Sequence, residues 1–127
     1  DAEVEIETLS LPTRSKGTLL LLLAEFERSQ ACFFALGARG KRAETVADEA
    51  VDHLAQFLAT GANIDRWLAD QLLLPLSLAE EESHFITSRT TRHLLTNAGV
   101  IRQFLPVEIT IDGMPGEPAR VSIEPHT

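Results

Sequence analysis

The chain has 127 residues, 44% of them hydrophobic and 24% charged, which suits one domain with a core of ordinary size. Its net charge of −8 argues against a free-standing nucleic-acid binder, because phosphate contacts need clustered Lys and Arg. One cysteine, Cys32, rules out an internal disulfide and a CxxC metal site, and no run is long and apolar enough to cross a bilayer.

The chain begins on Asp1 without Met and goes straight into VEIETLSL. Val4 and Ile6 alternate with Glu3, Glu5 and Glu7, the period of a half-exposed strand. Such a start is expected of a processed or excised piece of a longer polypeptide. Residues 12–17, PTRSKG, are a turn-rich connection. Leu19 to Leu23, followed by Ala24, Glu25 and Phe26, is the kind of apolar run found in strands covered on both faces. After a turn at Arg28-Ser29-Gln30, Ala31 to Leu36 is a second buried strand, so the two form a hairpin. Cys32 sits inside it, and a buried reduced thiol points to the cytoplasm. Gly37-Ala38-Arg39-Gly40-Lys41 follows. Glycines between a strand and a helix can let backbone approach a phosphate, but this spacing is not a P-loop. A structural turn is the simpler reading.

The next helix spans about Ala43 to Thr60, with Val46, Ala47, Ala50, Val51, Leu54, Phe57 and Leu58 as its apolar face. Glu44, Asp48, Glu49 and Asp52 solvate the other side, and Gly61 stops the helix. A second helix runs from about Ile64 to Ala79, capped by Asn63 or Asp65. Trp67, Asp70, Gln71 and Leu74 form one stripe of it. An indole, a carboxylate and an amide on one stripe can stack on a ring and hydrogen-bond it. A core tryptophan beside a surface aspartate fits the same pattern.

Glu80-Glu81-Glu82 reads as a solvated loop rather than a metal site, and His84 to Ser88 as a strand. The stretch TTRHLLTNAGVIRQFLP is an amphipathic helix with Thr90 or Thr91 as cap and Pro106 as stop. Leu94, Ala98, Ile101 and Leu105 would face the core. His93 falls in the first turn, where the positive end of the dipole disfavours an imidazolium and welcomes a phosphate. A nucleophilic imidazole and a merely hydrogen-bonded histidine both fit. VEITI and ARVSI then make a hairpin around Asp112-Gly113, and the tail EPHT is expected to fray. The element order β, β, β, α, α, β, α, β, β indicates an α+β fold with helices packed on one face of a mixed sheet.

Three segments together carry a resemblance: GARGKRAETVADEAVDHL, WLADQLLLPLSLA and SRTTRHLLTNAGVIRQFLPV. In this order and spacing they look like the closing part of the RNA 3′-terminal phosphate cyclases. The resemblance implies that residues 1–12 end an inserted domain and residues 17–127 are the last repeat of the large domain. It also implies earlier repeats in the same polypeptide, carrying a glycine-rich signature, phosphate-binding arginines and a metal-associated glutamate. A divalent Mg or Mn would then be held mainly by residues outside this chain. The implied partners are ATP and an RNA ending in a 3′-phosphate, with no membrane. By resemblance, His93 matches the histidine that attacks the α-phosphate of ATP. Trp67, Leu68, Ala69, Asp70 and Gln71 match the ATP-binding segment, whose first position is an aromatic that stacks on adenine. Two rival roles are a catalytically silent relative acting in ribosome assembly and a small binding module sharing only the fold. The silent branch lacks the histidine, so His93 favours the enzyme.

Overall fold

A computed structural model of the chain describes residues 3–126. Eight elements follow one another: β1 (Leu19–Glu25), β2 (Gln30–Leu36), α1 (Ala43–Ala59), α2 (Arg66–Ser77), β3 (Ser83–Thr87), α3 (Arg92–Phe104), β4 (Val107–Asp112) and β5 (Ala119–Pro125). The α+β class holds. The strands, however, form two separate antiparallel sheets, β1-β2 and β3-β5-β4, and not one mixed sheet. The β1-β2 hairpin pairs with no other strand among the described residues, while β3 adds to the β5 edge of the β4-β5 hairpin. The only isolated parallel bridge among the described residues joins Ile64 to Thr87.

In the first half, β1 and β2 pair from Leu19 opposite Leu36 to Glu25 opposite Gln30. The amide of Phe26 bonds to the carbonyl of Ser29 at 2.9 Å and closes the turn. Helix α1 covers one face, burying Val46 and Ala50 against Ala35, and Phe57 against Ala31 and Phe33. Gly40 takes a positive φ of +80°, a conformation that costs glycine little. Lys41 reaches the Leu36 carbonyl at 3.0 Å and Glu49 at 2.6 Å. The glycine segment is thus a strand-to-helix turn with its lysine already engaged.

Two expectations for this half change. Residues 3–18 form no strand, and Val4 and Ile6 are 78% and 86% exposed. Alternation supplies an apolar stripe, but a strand also needs a hydrogen-bonded neighbour, and the described chain offers none. Asp1 and Ala2, which share that expected segment, lie outside the described residues.

The second change concerns the hairpin itself, which is covered on one face only. Leu19, Leu21, Leu23, Phe34 and Leu36 remain 55–59% exposed on the other, and Cys32 is exposed with them. Both faces are apolar, as read from the sequence; only one has a cover among the described residues. The Cys32 thiol should therefore react with Ellman's reagent in the native 127-residue chain without denaturant. Protection until unfolding would show that this face is occupied.

In the second half, α2 and α3 pack on the three-stranded sheet. Ala69, Leu73, Leu94, Ala98 and Ile101 meet Phe85, Val107, Ile109, Val121 and Ile123 in one buried cluster. Asp65, itself buried, caps α2 by accepting from the amides of Trp67 and Leu68, each at 2.9 Å. Of the two candidate caps for α3, Thr91 serves, its hydroxyl accepting from the Leu94 amide at 3.1 Å. Asn63 does not cap α2. Its side-chain oxygen accepts from the Ile86 amide at 2.8 Å, while the Ile64 carbonyl accepts from Ser88 at 2.9 Å. These bonds tie the start of α2 to β3. The tail does not fray through His126, because β5 continues to Pro125 and the His126 amide bonds to the Pro106 carbonyl at 2.8 Å. Thr127 lies outside the described residues.

Candidate functional site

The starts of α2 and α3 lie side by side and open onto one cavity of about 620 Å³. From α2 it is lined by Arg66, Trp67, Asp70 and Gln71, and from the approach to α3 by Arg89 through His93. Pro115 and Gly116 of the β4–β5 loop complete the wall. That loop is clamped in place. The Thr90 amide donates to the Glu117 carbonyl at 2.7 Å, and the Gly116 amide donates to the Thr90 carbonyl at 2.9 Å. Gly116 has a φ of +89°, and a residue other than glycine would be strained there.

Of the predicted site residues, Trp67, Asp70, Gln71 and His93 come together here. Leu68 and Ala69 do not: Ala69 is fully buried in the core, and Leu68 is half-buried away from the cavity lining. Helical geometry explains the split, since positions 67, 70 and 71 share a face that 68 and 69 leave. Trp67 is 50% exposed, so it is not a core residue. The guanidinium carbon of Arg66 lies 4.2 Å from the centre of its ring, a cation–π contact that leaves half the side chain accessible. Asp70 is half-buried and accepts a hydrogen bond from the Asn97 side chain at 2.5 Å. His93 is exposed, on the first turn of α3. A helix leaves its first amides without internal partners. Thr91 takes that of Leu94, and those of Arg92 and His93 stay available to an anion.

Sequence reasoning missed the cationic lining. Arg66, Arg89 and Arg92 face a cavity with one carboxylate, Asp70, and none of the three pairs with an acid among the described residues. The chain is acidic as a whole, so this concentration is local. The signal was legible as two arginines one and four positions before His93, in RTTRH. Thr90 adds a buried hydroxyl with no hydrogen-bond partner among the described residues.

A cavity at a helix N-terminus, lined by arginines and carrying a histidine and an aromatic, can take a phosphorylated ring compound. The family model for RNA 3′-terminal phosphate cyclase matches residues 2–111. The chain belongs to that family. The RNA 3′-terminal phosphate cyclase of Methanopyrus kandleri is 41% identical over 128 residues, covering 98% of this chain and 36% of the relative. That of Ectopseudomonas mendocina is 50% identical over 93 residues, covering 73% of this chain and 27% of the relative. The relative from Nostoc punctiforme is 41% identical over 110 residues. The chain thus spans about a third of the length of the curated relatives it matches.

The geometry separates two roles for Trp67. As a half-exposed side chain it should contribute little to folding, so Trp67→Ala should change stability by no more than about 1 kcal/mol, mostly the Arg66 contact. A core tryptophan would cost roughly 3–5 kcal/mol on the same truncation. A thermal melt of Trp67→Ala reads the difference. A nucleotide titration of the intact protein, comparing the emission change of wild type with that of Trp67→Ala, reads the binding role; Trp67 is the only tryptophan of these 127 residues.

Proposed function

We propose that this chain is the nucleotidyl-transfer end of an ATP-dependent RNA 3′-terminal phosphate cyclase. His93 attacks the α-phosphate of ATP, forming a P–N bond as pyrophosphate leaves. The AMP then passes to the 3′-phosphate of an RNA, and the neighbouring 2′-OH attacks that phosphate. A 2′,3′-cyclic phosphate forms and AMP is released. Trp67 stacks on the adenine, Asp70 and Gln71 hydrogen-bond the nucleoside, and the arginines hold phosphate charge.

The observation that carries this reading is the convergence of His93 with Trp67, Asp70 and Gln71 on one cavity in a chain of this family. An imidazole at a helix N-terminus sits where backbone amides can hold the phosphate it attacks. A divalent cation does not fit this chain's own residues. No cluster of three His, Cys, Asp or Glu exists among the described residues, and Asp70 is the cavity's lone carboxylate. A metal site would need ligands from elsewhere in the polypeptide, and the fragment alone is expected to be inactive. Cytoplasmic location belongs to the same proposal; among the described residues, no helix is long and apolar enough to cross a membrane.

The test is conversion of a 3′-phosphorylated oligoribonucleotide to a phosphatase-resistant cyclic end by the intact protein, with ATP and Mg or Mn. Conversion that requires ATP supports the proposal. RNA binding without conversion would instead favour a silent relative.

A further inference from the structure

The groove between α2 and α3 has two chambers, and Asp70 lines both. The first holds His93 and Trp67. The second, of about 360 Å³, is walled by Leu74, Leu78, Val100 and Phe104. At the divide Asn97 Nδ2 donates to Asp70 Oδ1 at 2.5 Å. Among the described residues this is the only hydrogen bond between side chains of two different helices.

Asn97 lies four positions after His93, so the two share a face of α3. Asp70 lies three positions after Trp67, on the same stripe of α2. The bond therefore ties the turn following the histidine to the turn following the indole. Its effect on the carboxylate is directional. The terminal torsion of an aspartate is broad and roughly two-fold, so a free Asp70 could present either oxygen to the cavity, at varying angles. With Oδ1 held by the amide, Oδ2 is left for whatever binds beside His93. It has no protein partner among the described residues.

We propose that Asn97 is a positioning residue: its amide fixes Asp70 so that one carboxylate oxygen faces the nucleotide at a set angle. The inference rests on the reading of His93 as the nucleophile. Asn97 need touch neither substrate, and its contribution runs through Asp70. An ill-placed reacting geometry costs rate steeply, up to a hundredfold for a shift of about 1 Å.

The experiment follows AMP transfer to the intact protein at saturating ATP, comparing wild type, Asn97→Ala, Asn97→Asp, Asp70→Ala and the Asp70→Ala/Asn97→Ala double variant. Thermal melts run alongside, with rates normalised to the folded fraction. Asn97→Ala should slow transfer on the order of tenfold. Asn97→Asp should be slower still, since it sets a second carboxylate against Asp70. The double variant should be no slower than Asp70→Ala alone, because Asn97 acts only through that side chain. Wild-type rate in Asn97→Ala, or losses that multiply in the double variant, would overturn the inference while leaving His93 in its role. Wild-type protein that never gains AMP would overturn the reading of the site, and the inference with it.

Discussion

Truncating Leu94 to alanine is expected to destabilise the chain by about 2–5 kcal/mol, the range for emptying a well-packed leucine site. Leu94 is fully buried at the first turn of α3, within the cluster of Ala69, Leu73, Ala98, Val121 and Ile123. Tight packing on both the helix and the sheet side limits relaxation, so the upper half of that range is expected. Native domains have only about 5–15 kcal/mol in hand, so one such loss removes a large share. Because Leu94 adjoins His93, the change should also remove any nucleotide transfer. Denaturant melts would register the effect as a fall in midpoint with little change in slope. A shift below about 1 kcal/mol would mean that α3 does not seat on the sheet as described.

Replacing Arg89 and Arg92 together by alanine should do the opposite: leave stability nearly unchanged and remove function. Both side chains are exposed, so their loss should move stability by about 0.5 kcal/mol or less. Each can give charge-assisted hydrogen bonds to phosphate, worth roughly 1.5–3 kcal/mol apiece. Loss of both should slow AMP transfer on the order of a hundredfold or more, with nucleotide affinity falling as well. Lysine at the two positions should restore part of the loss, since it supplies charge without the planar two-pronged donor. A double-alanine variant at wild-type speed would remove the arginines from the site.

Much of the second half of the chain was legible in advance. The stripe of Trp67, Asp70, Gln71 and Leu74 and the core face of Leu94, Ala98 and Ile101 follow from helical periodicity, and the structure agrees, with Leu74 lining the second chamber rather than the first. Periodicity cannot say what a stripe faces. It left open whether Trp67 was buried, and the answer depends on α3 and the β4–β5 loop, which are distant in sequence. The arginine lining was only partly legible: Arg89 and Arg92 stand close to His93 in the sequence, whereas Arg66, on α2, joins them only through tertiary packing. The first half misled where apolar composition was taken as burial. Leu21 and Phe34 are apolar, yet their face of the hairpin has no cover among the described residues. The expected strand at Val4 and Ile6 failed because strand formation depends on a partner, which a local pattern does not supply.

The central claim is that His93 takes AMP from ATP, and intact-mass analysis of the intact protein tests it most directly. After incubation with ATP and Mg or Mn, the mass should rise by one AMP. The adduct should be lost in mild acid, as a phosphoramidate is, and persist in base. Peptide mapping should assign it to the segment holding His93, and His93→Ala, which keeps the helix and its Thr91 cap, should show no adduct at all. An AMP adduct that survives in His93→Ala, or one that resists acid, would contradict the account.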